Sequence, residues 1–96
     1  MTNDEKYIAL FGSLVLMFQT AAMQQLGKMK NPVTDAIERN LEQAQLSIDM
    51  LDMLSVKMKG NLNSEESKYL SNVLKELKLN YVDELSKDQS SKKETT

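Results

Sequence analysis

Tyr7-Ile8-Ala9-Leu10-Phe11-Gly12-Ser13-Leu14-Val15-Leu16-Met17-Phe18-Gln19-Thr20-Ala21-Ala22-Met23-Gln24-Gln25-Leu26-Gly27 contains no charged side chain, in a chain whose residues are 27% charged overall. Read as a helix, the stretch is apolar on every side. Ile8, Phe11, Val15, Phe18 and Ala22 form one seam, and Leu10, Leu14, Met17 and Ala21 form a second beside it. A third row holds Ala9, Gly12 or Ser13, Leu16, Thr20 and Met23. Its small residues allow another helix to approach closely. A helix of this kind must be covered by its own protein, by another subunit or by lipid.

Lipid fits worst. A membrane span needs about 20 predominantly apolar residues, whereas Gly12, Ser13, Gln19, Thr20, Gln24 and Gln25 interrupt this one, and each amide is expensive in hydrocarbon. The leading segment Met1-Thr2-Asn3-Asp4-Glu5-Lys6 is acidic rather than basic, which speaks against a secretory signal. The expectation is a cytoplasmic protein with no integral membrane span.

Outward from this stretch, 96 residues allow one domain. A core of that size is marginal, and burial through self-association would add to it. With no cysteine and no histidine, disulfides, thiolate metal sites and the usual proton shuttle are excluded. A net charge of -2 argues against nucleic-acid binding, which needs clustered lysine and arginine.

Three glycines and one proline punctuate three helices, over about residues 4–26, 35–59 and 64–85. Gly27 ends the first, with Lys28 and Lys30 near its carboxyl end, and Asn31-Pro32 breaks the chain. The second begins between Pro32 and Glu38: Pro32 suits a first-turn position, and Asp35 with Glu38 offers a capping box. Gly60-Asn61 stops it, and Asn63 with Glu66 caps the third. Residues 1–85 form the domain, and 86–96, without an apolar residue, read as a disordered polar tail. No segment alternates as a strand would. The expected fold is therefore all-α, a three-helix up-down-up bundle.

The outer helices each bury one stripe: Leu41, Ala44, Ile48, Leu51 and Met58 in the second, and Leu70, Val73, Leu74, Leu77 and Tyr81 in the third. Leu46, Met50 and Met53 lie nearly opposite the second helix's stripe. They belong either to a contact between subunits or beneath the chain ends or the loop from Lys28 to Thr34. Two neighbouring helices cover about half of the first helix, so the remainder points to a homodimer or higher symmetric assembly. The expected interface is Leu10, Leu14, Leu16, Met17, Met23, Leu46, Met50 and Met53.

Chemistry-bearing patterns are few. Asp49 and Asp52, one turn apart, are the only candidate metal ligands, and such a pair more often forms a solvated face. Gln19, Gln24 and Gln25 read as structural amides that fix helix register. Lys28, Lys30, Lys57 and Lys59 fall at opposite ends of an up-down-up bundle and so make no single basic patch. No nucleotide-binding loop or nucleophile-base pair is present. We expect no catalysis and no cofactor; the function is that of an oligomeric interaction module, a scaffold or adaptor, pairing with itself and with an unidentified protein partner. Two alternatives stand beside it: a metal-dependent enzyme subunit using the second helix's carboxylates, and a peripheral membrane-associated protein.

Phe11-Gly12-Ser13-Leu14, Ala22-Met23-Gln24-Gln25-Leu26-Gly27, Asn31-Pro32, Ala44 through Ile48-Asp49-Met50-Leu51, Lys57-Met58-Lys59-Gly60-Asn61-Leu62 and Tyr81-Val82, taken in order, resemble domain of unknown function family 1844. The resemblance covers about residues 7 to 85, with Met58 where the family more usually has threonine. It implies a small helical bacterial cytoplasmic protein and supplies no catalytic residues.

Overall fold

The computed structural model describes residues 3–94. They form three helices, α1 (Asn3–Gln25), α2 (Leu41–Lys57) and α3 (Ser64–Glu94), with no strand beyond one isolated bridge, so the fold is all-α. Asp4 and Glu5 occupy the first turn of α1, where the helix dipole favours them. At its other end the Gly27 N–H donates to the Gln24 carbonyl and the Lys28 N–H to the Met23 carbonyl, both at 3.0 Å. Gly27 has φ 81°, the left-handed geometry this cap requires.

The start of α2 differs from the expected position near residue 35. Asp35 is itself left-handed, at φ 55°, and cannot serve as the extended cap of a helix. Asn31 organises a tight turn instead: its side-chain oxygen accepts the Val33 N–H at 2.9 Å, its carbonyl accepts the Asp35 N–H at 2.7 Å, and its own N–H donates to the Ala36 carbonyl. The helix waits until Asn40, whose backbone is extended and whose side-chain oxygen accepts the Gln43 N–H at 3.1 Å. Asn40 with Gln43 repeats the capping spacing, and it marks this start in the sequence. At its other end α2 stops at Lys57 rather than Lys59.

The cap of α3 is the expected one. The Glu66 N–H donates to Asn63 Oδ1 at 2.8 Å and the Asn63 N–H to Glu66 Oε1 at 3.0 Å. Its far end runs to Glu94, not Leu85, so residues 86–94 of the expected polar tail are helical; Met1, Thr2, Thr95 and Thr96 lie outside the described residues. The segment lacks glycine and proline and is rich in good helix formers. Lys87 adds pairs to Glu84 and Asp83, three and four residues back. Absence of apolar residues removes packing, not helix propensity.

The core is one cluster drawn from all three helices: Val15, Ala22 and Leu26; Ala44, Ile48 and Leu51; Leu70, Val73, Leu74 and Leu77. Phe11, Phe18, Met23, Leu41, Leu54, Leu62 and Tyr81 close its edges. Among the described residues Ser47 carries the one buried hydroxyl, and it donates to Gln25 Oε1 at 2.7 Å, tying α2 to α1. Of the three glutamines on the uncharged helix, Gln25 thus joins two helices.

A second tie is ionic. Glu84, 6% exposed, continues the buried stripe of α3 one turn past Tyr81 and two past Leu77. Lys28 Nζ lies 2.7 Å from it, Lys87 Nζ 2.7 Å and Arg39 Nε 3.0 Å. Arg39, the chain's one arginine, also donates through Nη2 to the Glu84 carbonyl and to Asp88, each at 2.9 Å, and Lys28 reaches Asp83 at 2.9 Å. Three cations and three carboxylates thus join both ends of the α1–α2 connection to α3. The hydrogen bonds from Lys28 and Lys87 hold Glu84 down to about 2, from an ordinary 4.5.

Two outcomes follow. Leu51→Ala, at a fully buried site facing both neighbouring helices, is expected to cost about 2–5 kcal/mol in urea unfolding. Unfolded Glu84 titrates near 4.5 and folded Glu84 near 2, so between those values the unfolded chain binds more protons. The contribution of Glu84 is full above pH 4.5 and is lost as pH falls through 2. Urea midpoints measured across that window are expected to fall less steeply for Glu84→Gln than for the wild type, starting from a lower value.

Candidate association surface

The side of α1 that the core leaves free is almost entirely apolar. Leu10, Leu14, Leu16 and Met17 are exposed, Met17 by 69%, while Met23 packs half-buried against the core. On α2, Leu46, Met50 and Met53 are exposed by 40–51%. The loop from Lys28 to Thr34 leaves these three uncovered.

At 100° per residue, Leu10, Leu14 and Met17 project within about 60° of one another on α1, and Leu46, Met50 and Met53 do the same on α2. The Gln25–Ser47 hydrogen bond marks where the two helices face, and Leu14 lies only about 20° from Gln25 in projection. On α2, Met50 lies about 60° from Ser47, on the side turned away from Asp52, which marks the direction of α3 through its 3.0 Å pair with Lys78. Leu14 and Met50 therefore stand nearest the α1–α2 seam, on the side turned away from Asp52, while Leu46 and Met53 project about 100° and 120° from Ser47, on the outer side of α2. Leu16 and Met23 project about 100° or more from Met17, and Met23 is taken by the core; the eight residues expected in one interface divide in this way.

Size agrees with an uncovered face. The chain exposes 6940 Å², where a compact monomer of 10.9 kDa exposes about 5600 Å². Part of the surplus is α3, whose 31 residues reach about 46 Å, far beyond the 17 of α2. By length and composition α1 would also cross a membrane: its most apolar window has a mean hydropathy of 1.4, with 11% of that window buried.

Asp49 and Asp52 are engaged separately. Gln45 Nε2 donates to Asp49 at 2.8 Å, and Asp52 pairs with Lys78 on α3. Among the described residues no group of three or more potential ligands gathers. The lysines part in the same way, Lys28 in the Glu84 cluster and Lys59 in a groove between α2 and α3. The Glu84 cluster itself escaped sequence reasoning because its members are up to 59 positions apart (28 to 87). A signal was present: Glu84 and Asp88 continue the three-and-four spacing of Leu70, Leu74, Leu77 and Tyr81.

The family model described as Domain of unknown function (DUF1844) matches residues 9–83, and the chain belongs to that family. The resemblance read from Phe11-Gly12 through Tyr81-Val82 is thereby confirmed. The match takes in the apolar face on α1 and α2 and the cap of α3, and ends one residue before Glu84. No curated protein and no solved structure matches the chain.

With Asp49 and Asp52 held apart by different partners, millimolar magnesium, manganese or calcium is expected to move the melting temperature by less than about 1 °C. Differential scanning calorimetry with each chloride checks this.

Proposed function

We propose that this DUF1844 protein is a non-catalytic helical interaction module, an up-down-up bundle that assembles as a twofold homodimer through α1, with the α2 strip widening the contact. The observation behind it is the exposed apolar row of Leu10, Leu14 and Met17 on α1, with Met50 beside it across the α1–α2 seam and Leu46 and Met53 exposed on the outer side of α2. Each such side chain left in water forgoes about 1.5–3 kcal/mol of burial. A twofold axis over the face brings it onto its own copy, apolar on apolar. The contacts Gln25–Ser47, Asp52–Lys78 and Lys28–Asp83 support the up-down-up course, because the end of α1 meets the first half of α2 and the late part of α3. A second protein would dock on what the dimer leaves free, in the cytoplasm, where this fold acts as a scaffold or adaptor.

The apolar window of α1 favours one other reading, in which the same face lies on a membrane surface. The two readings separate experimentally. Sedimentation equilibrium at micromolar concentration is expected to give twice 10.9 kDa, and the double substitution Leu14→Glu with Met17→Lys to give the monomer. A monomeric wild type overturns the dimer. Flotation of that monomer with vesicles, lost in the double variant, establishes the membrane reading.

A further inference from the structure

On the side of the molecule away from the association face, a groove of about 510 Å³ lies between α2 and α3, within the range that holds small ligands. From α3, Ser67, Ser71 and Lys75 recur every four residues along one wall, and Lys78 follows by three. Lys59 enters from the turn at Gly60, where the glycine holds φ 88° and leaves open space beside its backbone. The floor is the leucine edge of the core, with Leu62 half-buried.

Charge sets this groove apart from the rest of the chain. Its lining holds three ammonium groups, Lys59, Lys75 and Lys78, against one carboxylate, Asp52. Asp52 is already neutralised by Lys78 at 3.0 Å. Lys59 and Lys75 pair with no carboxylate among the described residues, which leaves a local excess of two positive charges in a protein of net charge -2. Of the three hydroxyls, Ser55 is spent on the Asp52 carbonyl, 2.7 Å away, whereas Ser67 and Ser71 remain as donors. Unpaired ammonium groups beside serine hydroxyls, above an apolar floor, complement an oxyanion joined to an apolar body.

We propose that the α2–α3 groove binds a small phosphorylated molecule, its phosphate held by Lys59 and Lys75 with Ser67 and Ser71 donating to the phosphate oxygens, and its apolar part against Leu62. This site is independent of the association face and survives the failure of the dimer. Isothermal titration at low ionic strength with pyrophosphate and with adenosine monophosphate tests it, citrate serving as the non-phosphate anion. Saturable binding of a phosphate probe, weakened at least tenfold in Lys59→Gln with Lys75→Gln and unchanged in Lys30→Gln, is the expected result. Circular dichroism confirms that each variant is folded, and Ser71→Ala, which leaves the charge intact, is expected to weaken binding by a smaller factor. Equal binding by the wild type and the Lys59 and Lys75 variant, binding of citrate as tight as pyrophosphate, or no heat with either phosphate probe at millimolar concentration overturns the proposal.

Discussion

Everything in this structure depends on the covering of one uncharged helix. Among the described residues two other helices bury α1, and both spend their own apolar stripes in doing so. Val15, Ala22 and the adjoining Leu26 are sealed at the centre, against Ala44, Ile48 and Leu51 on one side and the leucines of α3 on the other. A cylinder touched by two others keeps a large part of its circumference free. Here that part holds leucine and methionine rather than lysine and glutamate.

The polar elements compensate where apolar packing ends. Past Tyr81 the stripe of α3 turns acidic, and in place of a leucine contact Glu84 meets Lys28, Arg39 and Lys87. Taking a carboxylate out of water is costly, and the cost is offset only because three donors converge on it. The same contact determines the path of the α1–α2 connection, since Lys28 and Arg39 stand at its two ends. A connection anchored at both ends to α3 also holds Asn40 where it caps α2, so the ionic cluster, the tight turn at Asn31 and the late start of α2 belong to one arrangement.

The two proposed surfaces divide along the same lines. The α1–α2 face is apolar and suits a surface of like character, while the α2–α3 groove is cationic and suits an anion. The carboxylates of α2 are engaged within the fold: Asp52, in the wall of the groove, pairs with Lys78, and Asp49 accepts from Gln45. Nothing in the family's description adds an activity, so the physical character of these two surfaces is the ground on which function is argued.

Local chemistry was legible in the residues themselves. Glycine after the last apolar turn of α1, Asn63 with Glu66 before α3, and three-and-four spacing on every helix determined the class, the count and the core, because caps and amphipathic stripes depend on neighbours within one turn. Resemblance over the same span identified the family. Other features depended on residues far apart in the chain. Asn40 prevailed over Asp35 because the Asn31 turn and the Arg39 contact placed the chain so, and the sequence offers both caps on equal terms. Glu84 became buried only because Lys28 and Arg39 arrived from distant segments to join Lys87, three residues on, beside it, and α3 continued through a stretch in which the sequence shows no apolar reason to stay ordered. Which apolar rows stay free was likewise a tertiary outcome: Met23 was drawn into the core and Met17 was left outside it, since the direction from which α2 and α3 approach α1 is set by packing among all three helices and not by the pattern on any one of them.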